Sequence, residues 1–118
     1  MILKSGEELF QIFSETKQQP KKLAAALDGF FRETGVSSSQ KEAYGAYLKR
    51  RIRPAIEQLI EEEAVDKIET LEGFGWFGKE QLEGFIKIAR ERSKTASLVW
   101  LLHLKNEKYG YEEQEFEL

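Results

Sequence analysis

Two stretches of this chain, residues 55–75 and 85–105, carry one apolar pattern thirty positions apart. Ile56/Ile86, Leu59/Ala89, Ile68/Leu98, Leu71/Leu101 and Phe74/Leu104 are apolar in both copies. The spacing within each copy is that of a helix face. A fixed period in the range of about 20–50 residues marks stacked supersecondary units, each hiding its apolar face against the next. The pattern constrains this part of the chain to helical hairpins laid side by side. Stacked hairpins offer surfaces to other macromolecules and bring no chemistry of their own.

The remaining sequence agrees with helix throughout. Only two prolines interrupt 118 residues, and no stretch alternates with period two, so little or no sheet is expected. The length suits one domain, with 41% hydrophobic and 33% charged residues as in ordinary globular chains. No cysteine is present, which excludes disulfides, thiolate metal sites and Cys nucleophiles, and fits a reducing compartment. The longest strongly apolar run, Ser97 to Leu104, is far short of the roughly 20 residues that span a bilayer. The N-terminus lacks a signal-peptide pattern, so a soluble, cytoplasmic protein is expected. The initial Met and the acidic tail point to a whole protein.

Several elements can be placed by their caps. Ser5 with Glu8 forms a capping box that opens a first helix at Gly6, and Pro20 suits the first turn of a second. Leu23, Leu27, Phe30 and Phe31 follow at helical spacing, and Gly35 supplies a left-handed stop. Ser39 with Glu42 opens a third helix bearing Tyr44, Tyr47, Leu48 and Ile52. Pro54 demands a break near Arg53 and begins the next helix. Ala64–Phe74 is the return helix, ended by Gly75, and Phe77 with Leu82 has the spacing of a hydrophobic staple around Gly78. The last helix, about Thr95 to Lys108, is apolar on several sides, which predicts burial on several sides at the centre of the fold.

The run from Ile88 to Leu102 (IARERSKTASLVWLL) resembles the helix–turn–helix centre of an ankyrin repeat, L-A-A-x-x-G-x-x-E-x-V-x-x-L-L, aligned without a gap. In the earlier copy Leu59, Val65, Ile68 and Leu71 fall in matching places, and Gly75 lands on the glycine after the second helix. The resemblance covers about residues 54–105. This sequence departs from the family in lacking the T-P-L-H opening and in placing Glu63 and Ser93 at the inter-helix glycine. Its link between units is also three residues shorter, which cuts the protruding finger down to the turn Phe74-Gly75-Trp76-Phe77-Gly78. The resemblance implies a protein-binding solenoid with no cofactor and no catalysis. Two units are fewer than the roughly three needed for independent stability, so helices one to three cap the stack or the chain pairs with another copy.

Candidate sites follow from that frame. The glycine-rich turn around Trp76 and Phe77 can present aromatic contacts of the kind that dominate binding hot spots, or it can lock the units together. The structural role is favoured for Phe74 and Phe77, and the two readings are even for Trp76. Charge comes in blocks: Lys49, Arg50, Arg51 and Arg53 are basic, residues 57–72 acidic, and Lys87, Arg90, Arg92 and Lys94 basic. The tail is acidic, with Glu112, Glu113, Glu115 and Glu117. The 49–53 cluster could grip phosphates, but a net charge of −3 favours a solvated helix end. Gly35-Val36-Ser37 resembles the turn of DNA-binding helix-turn-helix proteins. Phe31 and Lys41 depart from that family's small and apolar positions. His103 is the only histidine and no cysteine accompanies it, so a metal site is not expected. Ser37, Ser38 and Ser39 lack a nucleophile elbow and read as caps.

The expected fold is all-α, a six-helix array whose C-terminal half is two stacked helix-turn-helix units, in one domain over residues 1–118. Residues 1–35 form an N-terminal pair, 36–53 a third helix, 54–110 the repeat units and 111–118 a mobile acidic tail. The expected function is a non-catalytic scaffold binding a protein or peptide partner, or a second copy of itself. Trp76, Phe77, Arg50, Arg51, Arg90 and Arg92 are the candidate contacts. No catalytic, cofactor or metal residue is assigned. The alternatives are a nucleic-acid-binding helical domain using the 49–53 cluster and, more remotely, a small-molecule enzyme.

Overall fold

The computed structural model describes residues 5–110, and the acidic segment 111–118 lies outside the described residues. Among the described residues every element is an α-helix, and there is no strand. The helices are α1 (Gly6–Glu15), α2 (Gln19–Phe31), α3 (Ser38–Arg50), α4 (Ile52–Glu61), α5 (Val65–Gly73), α6 (Lys79–Glu91) and α7 (Thr95–Tyr109). Among the described residues the helices number seven, matching the seven placed individually from sequence and one more than the six-helix array expected as a whole. Arg51, at φ −114° and ψ 38°, leaves the helical region and divides α3 from α4. The chain falls into two compact units, with the division at Ala55–Ile56 inside α4.

In the first unit α1, α2 and α3 pack in series. Ser5 caps α1 by accepting the Glu8 N–H at 3.1 Å. At α3 the cap is Ser37 rather than Ser39. Its hydroxyl accepts from the Gln40 N–H while the Gln40 side-chain oxygen accepts the Ser37 N–H at 3.0 Å, completing a capping box two residues earlier than expected. Gly35 is left-handed, with φ 78°, but it lies beyond the end of α2 at Phe31 and does not stop that helix. Its carbonyl instead lies against Gly6, where a Cβ would come within 1.6 Å of the oxygen. Pro54 falls in the first turn of α4, where a missing N–H costs nothing.

The core of this unit combines aromatic rings with small residues. Tyr44 is fully buried and meets Phe13 edge-on at 4.9 Å and Phe10 at 5.6 Å. Ala25, Ala26 and Gly29 on α2 are buried as well, and a Cβ on Gly29 would stand 2.2 Å from the Tyr44 ring. Lys22 ties α2 to the end of α1. Its ammonium donates to the Phe13 carbonyl at 2.9 Å and sits 4.4 Å from the Phe13 ring centre.

The second unit holds two turns with the same backbone. Glu63 and Ser93, thirty positions apart, are the described non-glycine residues with positive φ, each at 56°. Before the first turn, Glu63 N–H donates to Ile60 C=O and Ala64 N–H to Leu59 C=O. Before the second, Ser93 N–H donates to Arg90 C=O and Lys94 N–H to Ala89 C=O. Each is a Schellman closure with a left-handed residue at its C′ position. The helices on either side keep the same register, α4 and α6 ending at Glu61 and Glu91, α5 and α7 starting at Val65 and Thr95.

Ile56, Leu59, Ile60, Ile68 and Leu71 are buried, as are Leu82, Phe85, Ile86, Ala89 and Leu101. The entry to α6 is fixed by Phe77 and Leu82, both buried, at the positions of a hydrophobic staple. Gln81 accepts the Gly78 N–H there at 2.8 Å. Gly75, with φ 76°, stands just past the end of α5 as the sequence suggests.

The last helix departs from expectation. It is not buried on several sides: its buried residues are Ser97, Leu101 and Lys105, a single stripe at i, i+4 spacing. Val99 is 61% exposed, and Leu98, Trp100, Leu102 and Leu104 are half-buried. Among the described residues its apolar surplus lies at the surface.

Candidate functional surface

The two hairpins of the second unit are stitched together at their turns. The Glu63 carboxylate reaches the start of α7 and accepts the Ala96 N–H at 3.1 Å and the Ser97 N–H at 3.5 Å. Lys94, the residue before α7, offers that helix no side-chain cap, so the preceding hairpin supplies one. The buried Ser97 hydroxyl donates to the Ile60 carbonyl at 3.5 Å. Arg92 pairs with Glu57 at 3.8 Å and Glu61 at 3.5 Å, and Lys94 pairs with Glu61 at 3.6 Å. At the other end of the helices the Lys108 ammonium donates to the Glu72 carboxylate, which raises its pKa above the ordinary lysine value.

Between the starts of α5 and α7 lies an open groove of about 720 Å³ lined by Glu63, Val65, Thr95, Ala96, Val99, Trp100 and His103. It is mostly apolar, and none of the described residues lining it is a lysine or arginine. His103 is exposed and its Nε2 lies 3.1 Å from Glu107 Oε1, one helical turn on. The expectation that no acid stands four residues from His103 is corrected by Glu107. Val99 and Trp100, read from sequence as interior, are the exposed and half-exposed walls of this groove.

The residues singled out from sequence separate into distinct settings. Trp76 is half-buried and its ring lies 5.0 Å from that of Phe74, which is 52% exposed. Phe77 is not a surface contact: it is buried and meets Phe85 edge-on at 5.2 Å, because it is the apolar half of the α6 staple. Arg50 and Arg51 are exposed at the end of α3 in the first unit, at a helix C-terminus where cations are favourable. Arg90 and Arg92 are exposed at the end of α6 in the second unit, and Arg92 is already engaged by Glu57 and Glu61. Ser37 is a cap, Ser38 begins α3, and Ser39 is exposed with its hydroxyl 3.2 Å from that of Ser37.

Among the described residues no group of His, Asp or Glu is placed to hold a metal ion, and no helix is long and apolar enough to cross a membrane. The chain matches no family model, no curated protein and no solved structure.

Proposed function

We propose that this protein is a non-catalytic interaction scaffold, its second unit a short solenoid of the ankyrin-like kind that holds a protein or peptide partner. The observation that carries the reading is the placement of large apolar side chains at the surface of two hairpins in one register. Phe74 and Val99 are more than half exposed, and both tryptophans of the chain, Trp76 and Trp100, are half-buried. Rigid aromatic side chains on a tied-down backbone make contacts at small entropic cost, and they dominate binding energy where interfaces have been dissected. The left-handed Gly75 holds the Phe74–Trp76 ring pair on the turn between the hairpins.

The test is recovery of partners from a native lysate on the immobilised chain, with Phe74→Ala and Trp76→Ala compared against the parent. Loss of a specific recovered band with unchanged helicity supports the reading. Identical recovery by both variants and the parent removes the turn from the binding surface.

A further inference from the structure

We propose that the groove between α5 and α7 is a docking site for a cationic amphipathic segment of another protein. The inference rests on the scaffold reading but uses a surface separate from the Phe74–Trp76 turn. The floor and walls of the groove are Val65, Ala96, Val99 and Trp100, enough apolar surface to anchor side chains presented at helical spacing. Among the described residues its lining holds one carboxylate, that of Glu63, which also caps α7, and no lysine or arginine. Glu69 and Glu107 follow Val65 and His103 by one turn on the same helix faces.

Charge selects the occupant. An apolar segment flanked by Lys or Arg meets complementary potential at this rim, whereas an acidic one meets repulsion. The chain's own segment 111–118 carries four glutamates and no cation, the wrong sign for this place. A second copy would have to bring one of its own basic clusters, Lys49–Arg53 or Lys87–Lys94, to this groove, and Trp100 emission that depends on protein concentration without peptide reports that case.

The probe is a synthetic Leu/Lys amphipathic peptide of about four helical turns, with a Leu/Glu peptide of the same pattern as its counterpart. Trp76→Phe in the full chain leaves Trp100 as the only tryptophan, and its emission reports the groove directly. The expected result is saturable binding of the Leu/Lys peptide with a shift in Trp100 emission, weakening as salt rises. Adding Val99→Asp should then weaken binding at least tenfold, and Val99→Ser should weaken it less.

Val99→Asp discriminates sharply because it makes the surface more acidic. Non-specific attraction to an acidic protein predicts tighter binding, whereas docking on the groove wall predicts loss. Val99 is 61% exposed, so the variants keep the fold, which unchanged helicity verifies. Equal binding of the Leu/Glu peptide, undiminished binding by Val99→Asp, or Trp100 emission that depends on protein concentration without peptide would each overturn the proposal. Persistence of peptide binding in Phe74→Ala keeps this outcome distinct from the fate of the turn.

Discussion

Glycine placed at each of the two left-handed turn positions should have opposite consequences, although the backbone is the same. At φ 56° an L side chain crowds the following carbonyl at a cost of roughly 1–2 kcal/mol. Glycine avoids that crowding but gives back roughly 0.4–1 kcal/mol through its greater freedom when unfolded. Ser93 is exposed, so Ser93→Gly should stabilise the second unit by about 0.5–1 kcal/mol. Glu63→Gly gains the same relief and loses the carboxylate that caps α7 through the Ala96 and Ser97 N–H groups. Loss of a helix cap costs typically about 1 kcal/mol, so Glu63→Gly should be neutral or destabilising.

The predicted gap between the two variants is thus about 1 kcal/mol. Urea titration followed by tryptophan emission isolates this part of the chain, since Trp76 and Trp100 both belong to the second unit. With a slope of about 1 kcal/mol/M for a small unit, the midpoints should differ by roughly 1 M. Equal shifts would mean that the Glu63 carboxylate contributes nothing across the hairpins. A destabilised Ser93→Gly would contradict the left-handed turn itself.

Other substitutions probe the first unit and the surface. Gly29→Ala drives a methyl into the Tyr44 ring and should destabilise by about 2–3 kcal/mol, read from thermal unfolding by circular dichroism. The Tyr44 hydroxyl is buried without a hydrogen-bond partner, whereas the Tyr47 hydroxyl donates to Gln19 at 2.8 Å. Tyr44→Phe should therefore be neutral or stabilising while Tyr47→Phe costs about 1 kcal/mol, and a large loss for Tyr44→Phe would reveal a missed partner. Burial also raises the Tyr44 pKa above 10.0, outweighing the opposing influence of Arg32. The folded chain then holds its proton longer than the unfolded chain, so this contribution is full below pH 10.0 and is lost as pH rises through the higher folded value. Alkaline titration of phenolate absorbance should show one tyrosine lagging the others. Arg92→Ala removes half-exposed ion pairs to Glu57 and Glu61 and should cost under about 1 kcal/mol, with the loss vanishing at high salt.

Large apolar residues and caps made most of the helices legible, and small or polar residues hid much of the packing. The thirty-residue period located the two hairpins, and Gly75, Gly78 and Pro20 marked their boundaries or those of their neighbours where the backbone needs them. At α3 the expected box is Ser39 with Glu42, but Ser37 with Gln40 has the same spacing in sequence. The reciprocal hydrogen bonds settle it on Ser37. On α2 the expected stripe is Leu23, Leu27, Phe30 and Phe31; Leu27 is buried and the other three are half-buried, while Ala25, Ala26 and Gly29 are buried as well. A periodicity argument gives no weight to a missing side chain, yet there it is the missing side chain that admits the Tyr44 ring. On α7 the buried stripe is Ser97, Leu101 and Lys105, two polar residues of three. The hydroxyl is satisfied by Ile60 C=O and the ammonium by Glu83 at 3.0 Å, pairings invisible before the helices are placed.

The same pairings work against extension of the two hairpins by a further copy in the same register. Within the unit the first hairpin receives the second through Glu57, Glu61, Glu63 and Glu72, which accept from Arg92, Lys94, the α7 N–H groups and Lys108. Thirty positions on, those acceptors become Lys87, Glu91, Ser93 and Leu102. A further copy stacked in the same register would bring its Arg92 against Lys87, find no carboxylate at Ser93 to cap its last helix, and set its Lys108 over Leu102. One acid of four survives. The apolar half of the joint persists in the exposed and half-buried residues of α7, while the polar half that fixes register does not. Apolar surface without its register-setting charges favours a different partner over another copy in the same register, so end-to-end stacking in this register is disfavoured.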